Sequence, residues 1–409
     1  MRFAFLFLFS AAASALFAQK TYEFKNGNWF NGTEFVPATW YSVGGKLSKK
    51  APAQIDSVVD LTDRFVIPPL GDAFSSSLAD HPTPEMQLKS YFNEGVFYIQ
   101  TLGNTKEGRQ KVTTKLSAAT PDVSFANGEI TCTLGEPFMR YEPAALGIKN
   151  PNDIAKRTNE IKNKRSGYGD GYWFIDNKDA LSANWTKIKA QNPGVISITL
   201  LDAENMGGKE GKGLTPDVAK AVVKKAHKSD LKVFARVENA NDVRLAVKLG
   251  VDGIAGLPGN QWDGEGSTAA FDLSDADLKL LAKKKTIVIP VFSKAQSMKA
   301  PKPAVTAYQS ALLRRMLTSG VLVAVGSDDP QRTIRSEVTY WFNLGDLNLA
   351  AALRALCETT PQAIFPERKI GRFENGYEAS FLVLPDNPLN NFLKMRAIQF
   401  KVKNGVVLK

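Results

Sequence analysis

From residue 65 to residue 326 the chain alternates two patterns. Hydrophobic runs of strand length are followed by stretches in which apolar residues recur every three or four positions. Phe65-Val-Ile67 reads as a short buried strand stopped by Pro68-Pro69. Gly95 to Ile99 and Gly194 to Leu201 predict further strands, the second preceding a helix over 216–229. Leu231 to Ala235 predicts a strand before a helix starting near Asn241, and Gly250 to Ala255 the next strand. Lys285 to Phe292 precedes a long helix to Leu317, and Gly320 to Gly326 ends the series. Hydrophobic strands alternating with amphipathic helices imply a parallel sheet covered by helices. Roughly eight such units over about 300 residues predict an α/β fold of the (β/α)8 TIM-type barrel class. In that architecture functional groups sit at the C-terminal ends of the strands.

The two ends of the chain read differently. Residues 20–64 alternate polar and apolar positions between the glycine turns Asn26-Gly27, Asn31-Gly32 and Gly44-Gly45, as short antiparallel strands do. Ser380 to Leu384, Ala397 to Val402 and Val406 to Leu408 repeat the pattern, with Asn404-Gly405 as a tight turn. The expectation is a barrel over 65–365 beside a composite β-sandwich built from 19–64 and 366–409.

Composition narrows the class. A chain of 409 residues with 44% hydrophobic content can bury a large core. Residues 1–18 carry one positive charge, a Phe-rich apolar run and then small residues, which predicts a secretory signal peptide. Cleavage is expected after Ala18, with Ala15 as a second candidate, giving a periplasmic or secreted protein. No later segment is apolar for long enough to span a bilayer. Cys132 and Cys357 lie far apart and are expected as two buried thiols.

Lys and Arg number 52 against 41 Asp and Glu, a net charge of +11. The Lys220 to Lys232 cluster lies on a predicted helix, where a solvated face explains it. No nucleic-acid motif accompanies the charge, so an anionic envelope surface or an acidic ligand is the more reasonable partner. The stretch Gly207-Gly-Lys-Glu-Gly-Lys-Gly213 lacks phosphate-loop spacing and reads as a loop. No Gly-x-Ser-x-Gly elbow is present, and Ser75 to Ser77 have only His81 nearby as a base.

A set of ordered motifs carries a family resemblance. Gly71-Asp-Ala73 follows the first strand, Ile254-Ala-Gly-Leu-Pro-Gly259 the sixth, and Val325-Gly-Ser-Asp-Asp329 the last. Asn26-Gly-Asn-Trp-Phe-Asn-Gly32 and the stretch from Ile370 to Leu384 flank them. Nearly the whole chain after residue 18 resembles the amidohydrolase superfamily. The resemblance implies a metal-dependent hydrolase with histidines after strands 1, 5 and 6, a carboxylated lysine or glutamate after strand 4, and an aspartate after strand 8. Such ligands fix a divalent ion and leave a water site open, with the aspartate as general base.

In this sequence the implied ligand positions hold other residues. Phe74 and Ser76 stand at the strand-1 histidines, Ser197 at the lysine, Arg236 at the strand-5 histidine and Gly256 at the strand-6 histidine. Glu136 stands at a further subgroup histidine, and Asp328 alone matches. The two histidines, His81 in a loop and His227 on the basic helix, do not restore the set. No cofactor is expected, although an oxygen-only site of Asp72, Glu136, Asp328 and Asp329 could hold Mg²⁺ or Ca²⁺ weakly. Arg236 is expected to pair with Asp328 or Glu136 in place of the metal's charge. The resulting expectation is a protein that has lost metal-dependent hydrolysis. It would bind a small ligand in the mouth, self-associate, or partner an active homologue. The alternative is a C–N bond hydrolase with Asp328 as acid/base and Arg236 as electrostatic stabiliser.

Overall fold

A computed structural model describes residues 19–202, 212–297, 302–345 and 347–408. The signal-peptide expectation and most of the 207–213 glycine stretch therefore lie outside the described residues. Within them the chain forms a mixed α/β fold with parallel sheets. One sheet of seven strands runs, in spatial order, Tyr172–Phe174, Glu129–Thr131, Ile196–Thr199, Val233–Arg236, Gly253–Ala255, Ile287–Ile289 and Leu322–Val323. All its pairings are parallel. A second parallel sheet has three strands, Leu70–Asp72, Val96–Thr101 and Asp122–Phe125.

The closed barrel expected from the sequence is not present as a closed sheet. The parallel strands fall into these two sheets, and single backbone bonds link their edges. Ala73 N donates to Val325 O at 2.8 Å and Asp328 N to Phe74 O at 2.7 Å. Gly194 N likewise donates to Phe125 O at 2.9 Å. The first strand end thus lies against the last, which matters for the site.

Helices pack outside this wall for the reason the periodicity gave. In Pro216–His227 the buried residues are Val218, Ala219, Val222, Val223 and Ala226, one stripe at helical spacing, while the lysines face water. Ala240–Leu249 starts on a capping box from Asn239 and Asp242 and stops at Gly250 with φ 80°. Strands came out shorter than the apolar runs that predicted them. Lys285 to Phe292 is a strand only over Ile287–Ile289, because Pro290 has no amide hydrogen for the ladder and a 3-10 turn follows over Phe292–Ser297. Ala397 to Val402 is displaced to Phe400–Lys403 by another 3-10 turn at Phe392–Arg396.

Both chain ends build one eight-stranded sheet. Its order is Val406–Leu408, Phe400–Lys403, Phe381–Leu384, Phe65–Ile67, Tyr22–Phe30, Phe35–Val43 and Lys46–Ser48, with Ser57–Asp60 also on the Tyr22–Phe30 strand. The expected sandwich is thus a single sheet, mostly antiparallel, with two parallel pairings to Tyr22–Phe30. Phe24, Trp29 and Phe381 are fully or almost fully buried in its own apolar cluster. Their rings meet edge to face, Phe24 with Phe381 at 4.8 Å and Trp29 with Phe381 at 5.1 Å. Each such ring stabilises by about 1.5–3 kcal/mol through burial alone.

No helix among the described residues is long and apolar enough to cross a membrane. Cys132 and Cys357 are both free and buried. Burial pushes the Cys132 thiol up to about 11 and also raises Cys357 well above the usual thiol range. Neither should react with an aromatic disulfide reagent at pH 8 until the protein is unfolded. Rapid labelling of the native chain would show that one of them is accessible.

Candidate functional site

Strand register decides which side chains share a face. Thr199 lies opposite Arg236, and Arg236 opposite Ala255. Side chains in register point the same way, so the small Ala255 leaves room beside the guanidinium. Arg236 Nη1 lies 3.4 Å from Oε1 of Glu129, whose side chain is 4% exposed against 29% for Arg236. Thr199 Oγ1 donates to Glu129 Oε2 at 3.4 Å and to the Glu136 carbonyl at 3.1 Å. Burial raises the Glu129 carboxyl above the usual range, opposed by Arg236 and Arg140. Glu129 in turn raises the Arg236 guanidinium, with further contributions from Asp328 and Glu136.

Asp328 stands at φ 36° five residues past the end of the strand Leu322–Val323. Aspartate tolerates this left-handed conformation better than most residues. Both its carboxylate oxygens are engaged. Ser76 Oγ donates to Oδ1 at 2.6 Å, and the Lys294 ammonium pairs with Oδ2. Lys294 comes from the 3-10 turn after Ile287–Ile289, and that turn is pinned from behind. Glu337, fully buried, accepts from the amides of Phe292 at 2.8 Å and Ser293 at 2.7 Å and from Trp341 Nε1 at 2.7 Å.

Two expectations about partners are corrected here. Arg236 makes its ion pair with Glu129, not with Asp328 or Glu136. Asp328 pairs with Lys294. Neither Glu129 nor Lys294 is marked as a site residue by the sequence motifs. Glu129 directly follows Asn127-Gly128, and nothing in its neighbours Gly128 and Ile130 marks it as a site residue. Lys294 carried no signal, because its 3-10 turn replaces the strand end the hydrophobic pattern predicted.

The carboxylates named for an oxygen-only cation site have these surroundings. Asp72 is fully buried and accepts from Tyr91 OH at 2.8 Å, Ser327 Oγ at 2.7 Å, and the amides of Phe74 and Ser327, each at 3.1 Å. Its oxygens face a buried network that includes Ser75 and Ser77, each bonded to Tyr91 OH. Asp329 caps its own turn, accepting from Gln331 N at 2.8 Å. Among the described residues no three His, Cys, Asp or Glu side chains are grouped so as to hold a metal ion.

The remaining candidates occupy distinct places. Phe74 is buried in the main core, and Ser197 lies one layer below Thr199 with its hydroxyl buried and without a partner among the described residues. Gly256 has φ 82°, and a Cβ there would meet only Asn260 Nδ2 at 3.6 Å, so open space adjoins it. His81 Nδ1 accepts from Thr83 N at 3.1 Å within its own loop. His227 bonds Asp252 at 2.8 Å, on the helix before Val233–Arg236 and so at the other end of that strand.

No protein-family model and no curated protein matches the sequence. Solved structures do match the fold. One is a structure described as an amidohydrolase, which superposes with a TM-score of 0.69 at 17% identity, over 95% of this chain and 99% of that one. A Xaa-Pro dipeptidase with methionine in its active site superposes with a TM-score of 0.69 at 16% identity, over 95% of this chain and 100% of that one. The ochratoxinase of A. niger gives 0.68 and 16%, covering 95% of each chain. Molinate hydrolase gives 0.70 and 13%, over 96% of this chain and 95% of the other. Identities this low speak to the fold, and function must be argued from the site.

Proposed function

We propose that this chain is an exported amidohydrolase-like protein that has lost metal-dependent hydrolysis and holds a small ligand at its strand ends, alone or beside an active homologue. In this reading the two parallel sheets are arcs of one (β/α)8 wall over 65–365, and the terminal sheet is a composite domain from 19–64 and 366–409. The observation that carries it is the pair of fixed cations in the mouth. Lys294 and Ser76 engage both oxygens of Asp328, and Arg236 engages Glu129. A divalent ion needs free carboxylate oxygens and neutral imidazoles. Here it would meet an ammonium and a guanidinium, which repel it. The residues present do not fit the metal that the fold family implies. They fit a ligand with amide or carboxylate oxygens, which Arg236 and Lys294 could bind by charge-assisted hydrogen bonds.

Elemental analysis of protein purified without chelator tests the loss. The expected result is far less than one Zn²⁺ or Mn²⁺ per chain and no turnover of prolyl dipeptides, lactams or cyclic imides. Stoichiometric metal together with turnover overturns it.

A second reading keeps catalysis. The buried Glu129, whose carboxyl burial raises, lies beside the fixed positive charge of Arg236, a combination suited to C–N bond hydrolysis with Asp328 as base and Arg236 stabilising an oxyanion. Metal-free turnover that falls by about a hundredfold or more in both Asp328→Asn and Arg236→Ala would favour it. Turnover indifferent to both would sink it.

A further inference from the structure

A groove of about 740 Å³ runs along the outside of the wall, between helices Lys106–Thr113 and Lys178–Ala190. Three cations line it, Lys106, Arg109 and Lys187, and none forms an ion pair among the described residues. Arg109 is fixed in the floor. Its Nη1 donates to the Gln191 carbonyl at 2.7 Å and its guanidinium lies 5.4 Å from the Phe125 ring. Lys106 and Lys187 are exposed on either rim. The Asp170 carboxylate nearby accepts from the Lys106 amide at 2.7 Å.

Two further features distinguish this groove from a solvated basic face. Tyr168 presents a ring that is 41% exposed and packs at 5.9 Å on Trp173. Trp173 is 3% exposed, lines the groove, and its Nε1 has no partner among the described residues. The amides of Asn184 and Gln191 donate to Ala180 O and Gly169 O at 2.9 and 2.8 Å. Their oxygens accept from no described residue, and both residues line the groove.

We propose that this groove binds a carboxylated saccharide. The cations require an anion with more than one charge along its length. The aromatic ring offers a face on which the C–H side of a pyranose can stack. The amide oxygens can accept from hydroxyl donors, which every sugar ring supplies and a DNA phosphodiester backbone does not. The volume lies in the range of small-molecule sites.

The test uses the full chain after residue 18 in affinity electrophoresis against a galacturonic acid homopolymer at about 50 mM salt, where exposed charges are weakly screened. Neutral dextran, single-stranded oligo-dT and phosphatidylglycerol vesicles run in parallel. Retardation by the galacturonate polymer is expected, weakened about tenfold in the Lys106→Gln, Lys187→Gln double variant. Tyr168→Ala should weaken it as well, whereas Tyr168→Phe, which keeps the ring, should retain it. The Lys220→Gln, Lys224→Gln pair, on a different helix, should leave it unchanged. The proposal is overturned by no retardation, by equal retardation in dextran, or by equal loss in the Lys220/Lys224 control. Tighter binding of oligo-dT or vesicles through the same residues also overturns it.

Discussion

Replacing Asp72 with alanine is expected to lower the unfolding free energy by about 4 kcal/mol. Asp72 is completely buried and accepts four hydrogen bonds, two from backbone amides and two from the hydroxyls of Tyr91 and Ser327. Those donors cannot follow the side chain when it is removed. The amides of Phe74 and Ser327 would be left facing a void, and an orphaned buried donor costs about 1–3 kcal/mol. The residue also ties the first strand end to the loop after the last strand. Its loss should therefore loosen Ser76 and Asp328 together. Asp72→Asn keeps one acceptor oxygen and should lose less. Urea unfolding followed by circular dichroism measures both. A loss below about 1 kcal/mol for Asp72→Ala would mean that the network closes without it.

Arg236→Ala is expected to cost about 3 kcal/mol at pH 8 and clearly less at pH 5. The loss falls at the low end for a broken buried pair, because the guanidinium is 29% exposed and the contact is 3.4 Å. The pH dependence follows from Glu129. Burial raises its folded carboxyl above the unfolded value, so the folded state holds that proton more readily. Its contribution is most favourable below the unfolded carboxylate range and declines as pH rises through the folded pKa. Arg236 opposes the rise, so removing it moves the folded pKa further up and widens that window. The variant should then regain part of its stability on mild acidification, where Glu129 becomes neutral. Urea midpoints of wild type and variant at both pH values measure the effect. An equal deficit at pH 5 and pH 8 would show that Glu129 does not feel Arg236.

The two variants differ in what they report. Asp72 is tied into backbone bonds and should act on the fold at any pH near neutrality. Arg236 acts through charge, and its effect should move with the proton on Glu129.

Much of the architecture was legible in the chain. Hydrophobic strands and amphipathic helices announced a parallel α/β fold, since strand burial and helix stripes follow from local periodicity. The terminal strands were equally readable from their glycine turns. Strand ends were not, because Pro290 and the 3-10 turn it precedes cut an apolar run that looked continuous. Of the site, the sequence picked out Asp328, Ser76 and Arg236 as neighbours around one mouth. It could not say who pairs with whom. That Arg236 meets Glu129 depends on how strands distant in sequence lie in register, and that Lys294 meets Asp328 depends on Glu337 holding a turn from behind. The segment Asp72-Ala-Phe-Ser-Ser76 shows the division most clearly. By itself the sequence determined that residues 74 and 76 offer no imidazole. Only the tertiary structure decided that Asp72 faces inward to a buried hydroxyl network while Ser76 faces the mouth. Asp72 is the last residue of its strand while Ser76 lies in the bend beyond it, where strand alternation no longer sets direction and the elements packed around the turn do.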